Sequence, residues 1–138
     1  KSIFLKAFNS TGESGNYILG KHVELFEKKL SQICNSPYIL SVNSGFDAIK
    51  LGLSLYGIGR DHEIITVSNS YIATASAIKA VGAEPVFIDI DESYNMDPYK
   101  IQKKINKRTK AIMPVHLAGM PANMIEIKKI SKKSKLFF

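Results

Sequence analysis

Short apolar runs alternate with amphipathic helical stretches along most of this sequence, and that alternation leaves few folds open. "YILSV" (38–42), "EIITV" (63–67), "EPVFIDI" (84–90) and "KAIMPV" (110–115) are rich in Ile and Val. Their length and their β-branched residues mark buried strands. Between them lie helix patterns. "KHVELFEKKLSQIC" (21–34) spaces Val23, Phe26, Leu30 and Ile33 at helical intervals, and "NSP" (35–37) stops it. "FDAIKLGLSLY" (46–56) puts Ile49, Leu53 and Tyr56 on one stripe, with Gly57 at the C-cap position. "SNSYIATASAIKAV" (68–81) reads as a small-residue helix closed by Gly82. Asp97 and Pro98 supply an N-cap and a first helical residue, with Ile101 and Ile105 inward. "ANMIEIKKISKKS" (122–134) turns Met124, Ile127 and Ile130 to one side, and "KLFF" (135–138) opens a fifth strand. The expected fold class is α/β, a mostly parallel sheet with flanking helices. Residues 1–20, polar and carrying Gly12, Gly15 and Gly20, read as an N-terminal arm or loop. No repeat and no linker divides residues 21–138.

Composition narrows the function classes. The 138 residues suffice for one domain with a sizeable core. No segment reaches the roughly 18 consecutive apolar residues of a membrane helix, and no secretory h-region opens the chain. A cytoplasmic location and no membrane partner are expected. Cys34, the single cysteine, allows neither an intrachain disulfide nor a zinc cluster. The formal charge of +7 is spread over short lysine runs on separate helical stretches, without interleaved aromatics. These read as solvated helix faces rather than a nucleic-acid surface. His22, His62 and His116 have no metal-ligand spacing, and His116 reads as a buried structural residue. Asp89 and Asp91 read as loop residues without chemistry. No metal is expected. The start at Lys1 and the apolar tail Leu136–Phe138 read as those of a piece of a longer protein. The alternative is a short protein whose last strand covers a sheet edge.

"SVNSGFDAIKLGL" (41–53) carries the one candidate site. Asn43-Ser44-Gly45 lies at a strand's carboxyl end and opens a helix. Ligands of open α/β sheets bind beyond such ends. The first amides of a helix lack intrahelical partners, and they suit a phosphate or carboxylate. A glycine lets the ligand approach the backbone. Ser44, Gly45, Phe46 and Asp47 therefore form a candidate anion cradle. The alternative is a plain strand-to-helix turn capped by Ser44. The Asp47 carboxylate opposes an anion unless it turns away.

Four blocks in order, "GNYILGKHVELFEKKL", "SVNSGFDAIKLGLSLYGIGRDHEIIT", "SNSYIATASAIKAVGAEPVFIDID" and "YNMDPYKIQKKINKRTKAIMPVHLAGMPANM", give the chain a family resemblance. From Gly15 onward it resembles the N-terminal part of the DegT/DnrJ/EryC1/StrS sugar aminotransferases. The resemblance implies a pyridoxal 5'-phosphate enzyme of the aspartate-aminotransferase fold, with residues 21–138 forming an incomplete N-terminal portion of its cofactor-binding large domain. It implies amino transfer, usually from glutamate, to a keto sugar carried on a nucleotide, and a homodimer for the intact protein. Cofactor-binding residues follow position by position. Ser44-Gly45-Phe46 stands where the family usually has Ser-Gly-Thr, so the amides of Phe46 and Asp47 would hold the phosphate while a hydroxyl is missing. Tyr71 would lie over the pyridine ring, a flat face against a flat cofactor. Its alternative is a core aromatic at a helix start.

The family's chemistry also uses a Schiff-base lysine and a carboxylate on the ring nitrogen. No position of this chain matches either, so no catalytic residue is assigned. Two alternatives stay open on the sequence. One is a dehydratase of the same fold and cofactor. The other is a non-catalytic binding or assembly module.

Overall fold

A computed structural model describes residues 1–138. The chain divides into two compact units, residues 1–42 and residues 43–138. The sequence reading placed its boundary after residue 20.

The first unit holds two helices, α1 (Ser2–Ser14) and α2 (Lys21–Cys34). The helix α1 corrects the reading of residues 1–20 as a loop. Phe4 and Phe8, one turn apart, stack with ring centroids 6.3 Å from each other, the i,i+4 pairing that supports a helix. Gly12 is absorbed into the last turns. Gly15 ends the helix in the left-handed conformation, φ 66°, its N–H bonded to the Thr11 carbonyl. The helix α2 follows the sequence reading to the residue and stops at Asn35, also left-handed. Residues 38–42 are not a strand, contrary to expectation. The Ser41 N–H goes to the Glu27 carboxylate of α2 at 2.6 Å rather than to a neighbouring strand. An extended apolar run becomes a strand only where a ladder partner takes up its backbone groups.

The second unit begins with α3 (Gly45–Leu55) and continues through β1 (Glu63–Val67), α4 (Ala73–Ala80) and β2 (Glu84–Ile88). Then come α5 (Pro98–Ile101), prolonged by a 3₁₀ turn at Gln102–Lys104, β3 (Thr109–Ile112), and a 3₁₀ turn at Leu117–Gly119. The last element is α6 (Met124–Ser134). The strands form a parallel sheet in the order β2-β1-β3. Phe137 adds one parallel bridge to Ala111 on the outer side of β3, so the expected fifth strand is present as a single pairing. The strand expected over 84–90 ends at Ile88, because Ile90 turns away to bridge Met96.

β1 is buried along its whole length, as a central strand covered on both faces should be. Neighbouring residues point to opposite sides. Ile65, Val67, Ile88 and Ile112 join Met96, Ile101 and Ile127 in one core beneath α5 and α6. Ile64 and Ala111 join Leu53, Ile58, Ile78 and Ala83 in a second core beneath α3 and α4. At the amino-terminal end of the sheet the buried Glu63 pairs with Arg108 and accepts a 2.6 Å bond from Asn106 Nδ2. No helix is long and apolar enough to cross a membrane.

Candidate functional site

Three connections leave the sheet at its carboxyl-terminal end: 68–72 after β1, 89–97 after β2 and 113–123 after β3. The amino-terminal half of α3 reaches the same end. Its Ala48 and Ile49 line a cavity of about 540 Å³ with Thr74 of α4 and Met113, Pro114 and Val115 beyond β3. The cavity runs on along α3 to Gly52, Leu53 and Tyr56, and neither Ser44–Asp47 nor Tyr71 lines it.

Ser44 caps α3. Its hydroxyl oxygen accepts the Asp47 N–H at 3.1 Å and its O–H donates to Asp47 Oδ2 at 2.9 Å. This reciprocal arrangement uses the Asp47 amide, which therefore drops out of the set expected to hold a ligand. The amides of Gly45 and Phe46, the first two of the helix, have no partner. The cap and the anion cradle are compatible, since the cap takes the third amide and leaves the first two. Asp47 is ionised. Its carboxyl lies below the usual carboxylate range because Asn43 Nδ2 donates to it at 3.1 Å and Ser44 donates beside it, with Lys50 adding a smaller attraction.

The φ of Gly45 is not left-handed, so the backbone does not require glycine there. A Cβ built on it would meet no atom within 4 Å, so packing within the chain does not require glycine either. The same holds at Gly12 and Gly52, so the open space at Gly45 does not by itself mark a ligand site.

Tyr71 lies in the turn before α4, not within a helix as the sequence suggested. It is 80% exposed, so it is not part of the core of this chain. The turn beneath it is firm: the Tyr71 carbonyl accepts the Thr74 N–H at 3.0 Å, and the Ser70 and Thr74 hydroxyls lie 2.8 Å apart. His116 is exposed rather than buried, a correction. It is structural all the same, its Nδ1 accepting the Ala122 N–H at 3.1 Å. Asp89 pairs with Lys100 at 3.4 Å, and Asp91 builds a turn through Ser93. No three His, Cys, Asp or Glu side chains converge as a metal centre.

Sequence reasoning missed three asparagines at this edge. Asn43 holds the Asp47 carboxylate, Asn69 donates to the Tyr94 carbonyl at 3.3 Å, and the buried Asn95 reaches Leu117 and Met120. A loop asparagine carries no local mark of burial. Asn43 and Asn69 follow apolar runs closely, and Asn95 has no such mark.

The DegT/DnrJ/EryC1/StrS aminotransferase family model matches residues 1–138. The chain belongs to that family. It is 47% identical over 132 residues to a dTDP-3-amino-3,6-dideoxy-alpha-D-galactopyranose transaminase of Aneurinibacillus thermoaerophilus, covering 95% of this chain and 36% of that protein. It is 39% identical to a dTDP-3-amino-3,4,6-trideoxy-alpha-D-glucose transaminase of Micromonospora megalomicea, covering 96% of this chain and 36% of the other. Its fold superposes with a TM-score of 0.93 on the crystal structure of ntda from Bacillus subtilis with bound cofactor PMP, at 36% identity, over 96% of this chain and 31% of that one. The chain therefore spans about a third of the length of the relatives it matches. Family membership accounts for the parallel α/β sheet and implies a pyridoxal phosphate-type cofactor.

Proposed function

We propose that this chain is the phosphate-holding part of a pyridoxal 5'-phosphate-dependent aminotransferase that moves an amino group, with glutamate as donor, onto a keto sugar carried on a nucleotide. The observation that carries the reading is the pair of amides without partners at Gly45 and Phe46, together with Tyr71 exposed in the turn after β1. Family membership and the transaminase names of the relatives favour amino transfer over dehydration. The family likeness also supports a homodimer and a cytoplasmic setting for the intact enzyme.

When bound, the cofactor supplies an electron sink for the carbon whose amino group is exchanged. The residues of this chain do the holding. The Gly45 and Phe46 N–H groups donate to the phosphate, aided by the positive end of α3. Tyr71 covers one face of the ring and keeps water from it. Asp47 keeps its charge on Asn43 and Ser44, two donors that lower its repulsion of the phosphate. Proton transfer at the substrate carbon falls to no residue of this chain.

Titration with pyridoxamine phosphate tests the site. An amine cofactor does not condense with surface lysines, so binding is read without adducts. The wild type and Tyr71→Phe should bind alike, and Tyr71→Ala about two- to tenfold more weakly, the range of an aromatic pair. Equal binding by all three removes the stacking role. No binding by the wild type removes the cofactor site and leaves a non-catalytic module.

A further inference from the structure

The carboxyl-terminal loops are joined by side chains that play no part in the cofactor contacts above. Asn95 is buried, with 1% of its surface exposed. Its Oδ1 accepts the Leu117 N–H at 3.1 Å and its Nδ2 donates to the Met120 carbonyl at 3.1 Å. The two partners bracket the 3₁₀ turn after β3, Leu117 opening it and Met120 following it, and between them Ala118 and Gly119 hold left-handed φ values of 49° and 85°. One carboxamide thus closes both ends of a turn that its own backbone does not favour. The preceding residue, Tyr94, is itself left-handed at φ 62°. Its carbonyl accepts from Asn69 Nδ2 at 3.3 Å. Asn69 lies two residues before Tyr71. The turn at 91–95 is fastened in turn by Asp91, whose N–H donates to the Asn95 carbonyl at 2.9 Å and whose Oδ1 accepts the Ser93 N–H at 2.8 Å.

We infer that Asn69 and Asn95 are positioning residues: through Tyr94 they lock the 116–120 turn and the Tyr71 turn into one frame at the mouth of the site. A buried amide that meets its donors and acceptors specifies one arrangement, because every displaced partner would be left unsatisfied. A ring held only by the 68–72 turn would be free to tilt. The bond from Asn69 to the Tyr94 carbonyl fixes the root of that turn against a segment that is itself anchored by Asn95. The inference rests on the reading that Tyr71 faces a pyridoxal phosphate-type cofactor, and it adds the residues that set the angle at which Tyr71 does so.

The test combines amide hydrogen exchange with pyridoxamine phosphate binding, on the wild type, Asn69→Ala and Asn95→Asp. Asn95→Asp keeps the acceptor for Leu117 and loses the donor to Met120. It should speed exchange at Met120, and also at Thr74, whose N–H reports the Tyr71 turn, while the Leu117 N–H keeps its acceptor. Asn69→Ala removes a loop side chain and no buried group. It should speed exchange at Thr74 alone, leave the melting temperature close to the wild type, and weaken pyridoxamine phosphate binding about two- to tenfold, the span of one neutral hydrogen bond. Unchanged exchange at Thr74 in Asn69→Ala overturns the frame, and that arm decides even where Asn95→Asp fails to fold. Faster exchange with unchanged binding overturns the positioning role. A wild type that binds no pyridoxamine phosphate defeats the cofactor reading, while the exchange arm still reports on the frame in the ligand-free protein.

Discussion

Phe46 stands where the family resemblance implies a threonine. The Ser44 hydroxyl is committed to Asp47, so it offers no proton to a ligand. The two free amides then stand alone as donors, beside an ionised carboxylate. A hydroxyl at residue 46 would add a third donor in the first turn of α3. Phe46→Thr should therefore tighten pyridoxamine phosphate binding about two- to tenfold, by one neutral hydrogen bond of about 0.5–1.5 kcal/mol. Phe46→Ala separates the hydroxyl from the loss of the ring and should not tighten binding. If both variants tighten equally, the ring obstructs the site and no hydroxyl is missing. Gly45→Ala gives the converse. The chain accepts the methyl without strain, since nothing lies within 4 Å of it. Thermal stability should stay the same or rise slightly, while cofactor affinity falls.

Among the elements, the turn at 91–95 has a predictable response to acid. The Asp91 carboxyl lies below the usual carboxylate range, chiefly because the Ser93 hydroxyl donates to it at 2.5 Å. A depressed folded value means the turn has its full support above the ordinary Asp pKa and loses it as pH falls through the lowered one. The Ser93 amide resonance, which reports the bond to Asp91 Oδ1, should titrate with a midpoint below that of a free aspartate. A midpoint at or above it would show the carboxylate unbonded in solution. The elements also show what could be read from the sequence. α2 and β1 follow their periodicities to the residue, because each is decided by its own pattern of faces. The Asp97-Pro98 cap holds as well, with Asp97 Oδ1 accepting the Tyr99 N–H at 2.9 Å. The run at 38–42 fails because pairing is a property of two segments and a single segment cannot declare its partner. α1 was hidden by its glycines, although Phe4 and Phe8 carried the helical spacing. Of the site, the Ser44 cap of α3 was legible from the Ser-Gly step that opens a helical stretch, although the strand expected before it is absent. The ties of Asn69 and Asn95 were not, since each joins residues more than twenty positions apart.

On the scale of the whole molecule, the two units differ in what holds them. Neither α1 nor α2 buries a single residue, and Ile3, Phe4, Phe8, Tyr17, Ile18 and Ile33 are all largely exposed. The unit of residues 43–138 has two cores on opposite faces of one sheet, sharing β1 between them. Local opening costs least where few apolar groups leave water. Backbone amides of α1 should therefore exchange close to the rate of a frayed helix, and those of Ile64, Ile65 and Thr66 at the rate of global unfolding. Ile65→Ala should lower global stability by about 2–5 kcal/mol, the cost of emptying a buried isoleucine site. It should speed exchange in β1, β2 and β3 together while leaving α1 unchanged. Equal acceleration in α1 would mean that the two units unfold as one, and that the exposed helix draws its order from the same sheet.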